Sequence, residues 1–173
     1  MAPLKDPTHA LFKLAEGFLR LNGLAPRANE AYPDDQSWLW THAAGSANAA
    51  FACELFLKCV ARVETGTAPR GHFLDSLFDQ LSVDHQQRIT EYYEAAAKLD
   101  DLMPDDTGVG KDVRAILTIN RDSFEKLRYL HEMNLRDMQG SWGLYNLAMA
   151  IRRVLLEDRP SLADNVFPPI KFS

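Results

Sequence analysis

Two groups of polar side chains stand where the hydrophobic pattern of the chain calls for apolar ones. Glu54 and Lys58 lie in the run from Ala49 to Val63, where Arg62 is the only other charged residue. On a helix these three form one narrow polar stripe. Glu followed by Lys four positions later is the order that favours an intrahelical ion pair. Arg128, His131 and Glu132 form the second group, and offsets of three and four put them on one helical face. A guanidinium and an imidazole held by carboxylates can contact a phosphate and move a proton beside it. His72, in the Pro69-Arg-Gly-His72 turn, can exchange a hydrogen bond with a neighbouring polar group. The plain alternative for both helical groups is a solvated face, and for His72 a staple that holds the turn.

A central helix would oblige Glu54 and Lys58 to find partners, because an unpaired buried charge is very costly. Arg128 and Glu132 carry the opposite order of charge along their own segment. Antiparallel or crossed packing would therefore pair Glu54 with Arg128 and Lys58 with Glu132.

Other chemical signatures fail on spacing. Thr107-Gly-Val-Gly-Lys111-Asp112 lacks the first Gly of a phosphate loop and the Ser or Thr after its Lys, and it follows no predicted strand. The five histidines, His9, His42, His72, His85 and His131, form no His-x-x-x-His pair, so no metal site is expected. No Gly-x-Ser-x-Gly elbow occurs. No cofactor is expected either. Cys53 and Cys59 are six apart, which sends them to opposite sides of a helix. They read as two buried thiols in a reducing, cytoplasmic compartment.

The elements that must position these residues are helical. The chain has 173 residues, 46% hydrophobic and 25% charged, enough for one domain with a core of its own. Its 24 acidic residues outnumber 19 basic ones, so no global positive field steers it to nucleic acid. No apolar run reaches the ~20 residues of a membrane span, so no membrane partner is expected. Met1 to Asp6 lacks the features of a secretory signal.

The pattern predicts a first helix capped by Thr8 and stopped at Asn22-Gly23. A second helix runs from Asp34 and Asp35 to about Glu64, and its nearly all-apolar second half marks it as the core helix. A short helix then carries Phe73, Leu74, Leu77, Phe78 and Leu81. The next, from Ser82, carries Ile89, Tyr92, Tyr93, Ala96 and Leu99. Asp100 to Gly110 reads as a mobile loop. Residues 111–137 are helical with a break at Asp122-Ser123, where Ser123 is a cap. The last helix, 141–158, has Ser141 as cap and Leu144, Leu147, Ala148, Ile151, Val154 and Leu155 inward. The organisation is an N-terminal helix and connector over 1–30, a bundle over 31–160 and an extended tail over 161–173.

Three of these stretches together resemble a known family. Ala49-Ala-Phe-Ala-Cys-Glu54-Leu-Phe-Leu-Lys58 is similar to the Glu-Leu-x-Leu-Lys helix of HEPN-domain proteins. Pro69-Arg-Gly-His72-Phe-Leu-Asp-Ser-Leu-Phe is similar to the family's Pro…His-x-Leu-x-x-Leu element, and Arg128-Tyr129-Leu-His131-Glu132 to its Arg-Tyr…Glu segment. The resemblance covers about 45–135 in the right order. It implies an all-α, single-domain, up-and-down bundle of four to five core helices plus short helices, commonly a homodimer. Many members are ribonucleases of toxin–antitoxin or phage-defence systems. These place an Arg and a His, four to six residues apart, across a dimer cleft.

That spacing is missing here, and Arg128-x-x-His131 is the nearest approach to it. The resemblance therefore implies a HEPN-like domain that binds a nucleotide, RNA or a protein partner such as an antitoxin, without the usual cleavage motif. Its candidate contacts are Lys58, His72, Arg128 and His131, oriented by Glu54 and Glu132. One alternative is a metal-independent endoribonuclease toxin or defence effector using Arg128 and His131. Another is a structural dimerisation module, with Trp38, Trp40 and Trp142 at its interface.

Overall fold

A computed structural model describes residues 6–24, 37–99, 109–127 and 143–164, with the backbone alone at 37–40, 109, 124 and 127. Helix α1 spans Pro7–Asn22. Its cap is Asp6, whose Oδ1 accepts from the Thr8 N–H at 2.9 Å. The cap falls before Thr8, the residue expected there, because Pro7 fits the first helical position and needs no hydrogen-bond partner for its nitrogen.

Helix α2 spans Ser37–Thr65. From Ala49 to Ala61 every side chain is buried except the half-buried Phe51 and Lys58. This is the core helix the apolar pattern predicts. It ends at Gly66, whose φ of 80° is in the left-handed region that glycine adopts freely.

Helices α1 and α2 pack antiparallel. Phe12 meets Phe56 at 5.5 Å, Phe18 meets Phe51 edge-on at 4.4 Å, and Asn22 donates to the Gly45 carbonyl at 2.9 Å. Phe12, Ala15 and Leu19 belong to the same buried cluster as the rest of the protein, so the N-terminal helix is part of the core.

Three shorter elements follow: α3 over Leu74–Asp79, α4 over Val83–Leu99, and a 310 turn over Val109–Lys111. Then come α5, Val113–Ile119, and α6, Ser123–Leu127. Helix α7, Leu144–Asp158, has all six expected inward residues buried. A 310 turn over Pro160–Ala163 closes the described chain.

Helices α2 and α7 run parallel and in contact. Cys53 on α2 donates to the Leu144 carbonyl in the first turn of α7, at 3.3 Å. His85 meets Glu64 and Asp158 at the far ends of the same two helices. Helix α4 packs antiparallel on α7, so the long helices alternate in direction along the chain. The protein is an all-α helical bundle of the expected connectivity, with no strand among the described residues.

Cys59 points away from Cys53 and toward α1, where its thiol lies 3.5 Å from the Thr8 carbonyl. Both thiols are free and buried. Burial raises both, and Cys59 to about 12, which leaves them protonated and inert.

Several expectations change. Phe73 is 43% and Leu99 84% exposed. Phe73 precedes α3 on extended backbone and turns outward, and Leu99 is the last residue of α4. Ser123 is the first residue of α6, and its hydroxyl donates back to Asn120 Oδ1 at 2.9 Å. The phosphate-loop lookalike is a structural junction where described. The Gly110 carbonyl accepts from the Tyr93 hydroxyl at 2.6 Å, and Asp112 caps α5 through the Arg114 and Ala115 N–H groups. The expected openings at Asp34-Asp35 and Ser141, the loop over 100–108, the helix over 128–137, Trp142 and the tail beyond 164 lie outside the described residues. So do the side chains of Trp38 and Trp40.

Candidate functional site

Glu54 sits in the middle of α2 and is 2% exposed. Its Oε1 accepts from Lys58 Nζ at 2.7 Å, the pair expected from their spacing. The same oxygen meets His72 Nδ1 at 2.9 Å. Oε2 is buried and has no hydrogen-bond partner among the described residues.

His72 reaches Glu54 because α2 stops at Gly66 and the chain doubles back along it by about three helical turns. Gly71, at φ 102°, makes that return in a conformation other residues rarely adopt.

A carboxylate oxygen only accepts hydrogen bonds, so Nδ1 carries a proton toward Glu54. This fixes the ring and leaves Nε2 as the outward nitrogen of a side chain that is 59% exposed. Lys58, at 14%, lies deeper and offsets the Glu54 charge.

The rim beside His72 is aromatic and basic. Arg70 is exposed in the turn. The Arg121 guanidinium lies 4.4 Å over the ring of the exposed Phe73, with Asp75 3.5 Å from its Nε. The Leu74 N–H donates to the Arg121 carbonyl at 3.0 Å, which ties α3 to the α5–α6 junction. Arg70, His72 and Phe73 are thus exposed within four residues of one turn, and Arg121 covers the Phe73 ring.

Of the expected site residues, Glu54, Lys58 and His72 come together. Arg128, His131 and Glu132 lie outside the described residues, as do the pairings of Glu54 with Arg128 and of Lys58 with Glu132. Helix α6, which leads into Arg128, packs on α2. Among the described residues no His, Cys, Asp or Glu cluster is arranged to hold a metal ion.

A second polar network escapes the sequence reading. His85, at the start of α4, faces Glu64 Oε1 with Nδ1 and Asp158 Oδ2 with Nε2, the latter at 2.6 Å. Arg88 bonds Asp158 at 2.7 Å and Glu157 at 3.1 Å. Tyr92 donates to Glu157 at 2.7 Å, and the Arg153 guanidinium lies 3.9 Å over the Tyr92 ring.

Burial works to raise the Asp158 carboxyl, but hydrogen bonds from His85 and Arg88 outweigh it and hold it below its ordinary value. The Tyr92 hydrogen bond, helped by Arg88 and Arg153, lowers Glu157. One signal for this network was legible. Glu64 and Asp158 both sit in the last turn of a helix, where the helix dipole disfavours a negative charge.

Family models, curated proteins and solved structures give no match to this chain. Among the described residues no helix is long and apolar enough to cross a membrane.

Proposed function

We propose that the chain is a HEPN-like bundle protein that binds an unpaired nucleotide, free or within single-stranded RNA, at the His72 edge of α2 and α3. One observation carries the reading. The buried Glu54 carboxylate holds Lys58 and His72 on a single oxygen, so that His72 presents its other ring nitrogen outward.

The neighbouring groups support the same chemistry. Arg70 and Arg121 offer charge for a phosphate, and Phe73 with its stacked guanidinium offers a platform for a base. The net charge of −5 confines any phosphate attraction to this local edge. Assembly as a homodimer belongs to the same reading. So does the absence of the family's Arg and His cleavage spacing.

Fluorescence anisotropy with a labelled single-stranded oligoribonucleotide and with a labelled mononucleotide tests it. Binding should weaken with salt. Phe73→Ala should cost about 1–3 kcal/mol, the usual value for one stacked base. His72→Ala with Arg70→Ala should remove most of what remains. No binding at low salt, or variants that bind like the parent, would overturn the reading. Shortening of the strand in EDTA would replace it with the metal-independent ribonuclease.

A further inference from the structure

We propose that α1 is the seam of a homodimer and packs antiparallel against α1 of a second copy across a two-fold axis. Helix α1 carries two apolar stripes. Phe12, Ala15 and Leu19 are buried in the core. Leu11, Leu14, Phe18 and Leu21, spaced three, four and three apart, form a second stripe on a neighbouring face. Leu14 is 50% and Leu21 49% exposed, while Leu11 and Phe18 are half-buried against the core. The inference rests on the homodimer of the reading above and not on its nucleotide site.

The spacing of the second stripe points to a second copy rather than to an unrelated helix. It reads the same in both directions along α1. An antiparallel copy therefore sets Leu14 opposite the partner's Phe18 and Leu21 opposite the partner's Leu11. Each exposed leucine then enters the recess beside a half-buried residue, as a and d positions do in an antiparallel coiled coil.

The flanks suit the same contact. Ala10 and Gly17 border the stripe on one side, and Ala15 and Asn22 on the other, so two copies bring no like charges together. Lys13 and Arg20 share a different face of α1. Gly17 lies mid-helix, where glycine is weakening, and a Cβ there would meet nothing within 4 Å. The protomer itself has no need of that glycine, whereas a second helix can approach closely over it. Phe51 meets Phe18 edge-on, and with Ala44 and Ala47 it extends the apolar surface onto α2. At 1.5 Å per residue α1 is ~24 Å long, and with α2 beside it the face is ~20 Å wide. Roughly 500 Å² in plan, it approaches the ~800 Å² per partner of a standard interface once side-chain relief is counted.

Sedimentation equilibrium of the full chain, parent and variants, tests the seam. Leu14→Glu and Leu21→Glu should each weaken dimerisation by about 100-fold or more, since every dimer would bury two unpaired carboxylates. Both leucines are exposed, so the circular dichroism of each variant should match the parent. Either variant suffices if the other misfolds. Lys13→Glu, off the seam, should leave the dimer intact. Mixing Leu21→Glu with Leu11→Lys should restore dimers, because the antiparallel register sets the two new charges face to face. A parent that stays monomeric would overturn the dimer and the seam together. A dimer that survives both Glu variants, or a mixture that does not recover, would overturn the seam and leave the dimer standing. Nucleotide binding at His72 is read separately, by anisotropy, and its failure would leave the seam untouched.

Discussion

Lys58 and His72 share one oxygen of Glu54, yet Lys58 is 14% exposed and His72 59%. Burial decides how much each partner matters. Lys58→Ala leaves a carboxylate at 2% exposure with a single donor, and breaking a buried pair in this way costs about 3–5 kcal/mol. His72→Ala removes a partner that water largely replaces, and should cost about 1 kcal/mol or less. Urea unfolding of the two variants at one pH checks this. Equal losses would mean that His72 pins the turn more firmly than its exposure indicates. The Glu54 and Lys58 pair was legible because both residues lie within one helix, where spacing alone dictates proximity. His85 and Asp158 are 73 positions apart, and nothing local connects them.

At the scale of elements, the apolar run in α2 identified the central helix, and alternation of direction followed from the connections. Element ends were read less well, because ends are settled by neighbours. The start of α7 is an example. A Cβ on Gly143 would lie 2.5 Å from the Tyr93 hydroxyl and 2.8 Å from Ile116 Cδ1. Gly143→Ala should therefore destabilise the bundle by about 1–3 kcal/mol, in the range of an overpacked core. It should also disturb the Tyr93 bond to the Gly110 carbonyl. A thermal melt measures the loss, at about 2–4 °C per kcal/mol for a chain of this size. Adding Tyr93→Phe should recover part of it. An unchanged melting temperature would show that Tyr93 and Ile116 move aside without cost.

For the whole molecule, one core runs from Phe12 on α1 through α2 to Leu155 on α7 and Leu162 beyond it. Its ends are tied across the chain. Arg159 bonds Asp6 at 2.8 Å, and Arg152 bonds the buried Glu16. Leu14, Leu21, Tyr145 and Met149 are left exposed. The proposed homodimer belongs at this scale. Sedimentation equilibrium should give a mass rising with concentration toward twice 19.5 kDa. A monomer mass at every concentration would remove the dimer from the proposal.

Helical class, the central place of α2, the opposed directions of Cys53 and Cys59 and the Glu54–Lys58 pair all follow from the order of residues. Each depends on periodicity within one helix, a local property. The tertiary structure decided that His72 returns to Glu54, that Phe73 faces solvent under Arg121, and that Glu64, His85 and Asp158 meet. These depend on how separate helices pack, and packing follows from the shape of the whole core. No short stretch of sequence contains that shape.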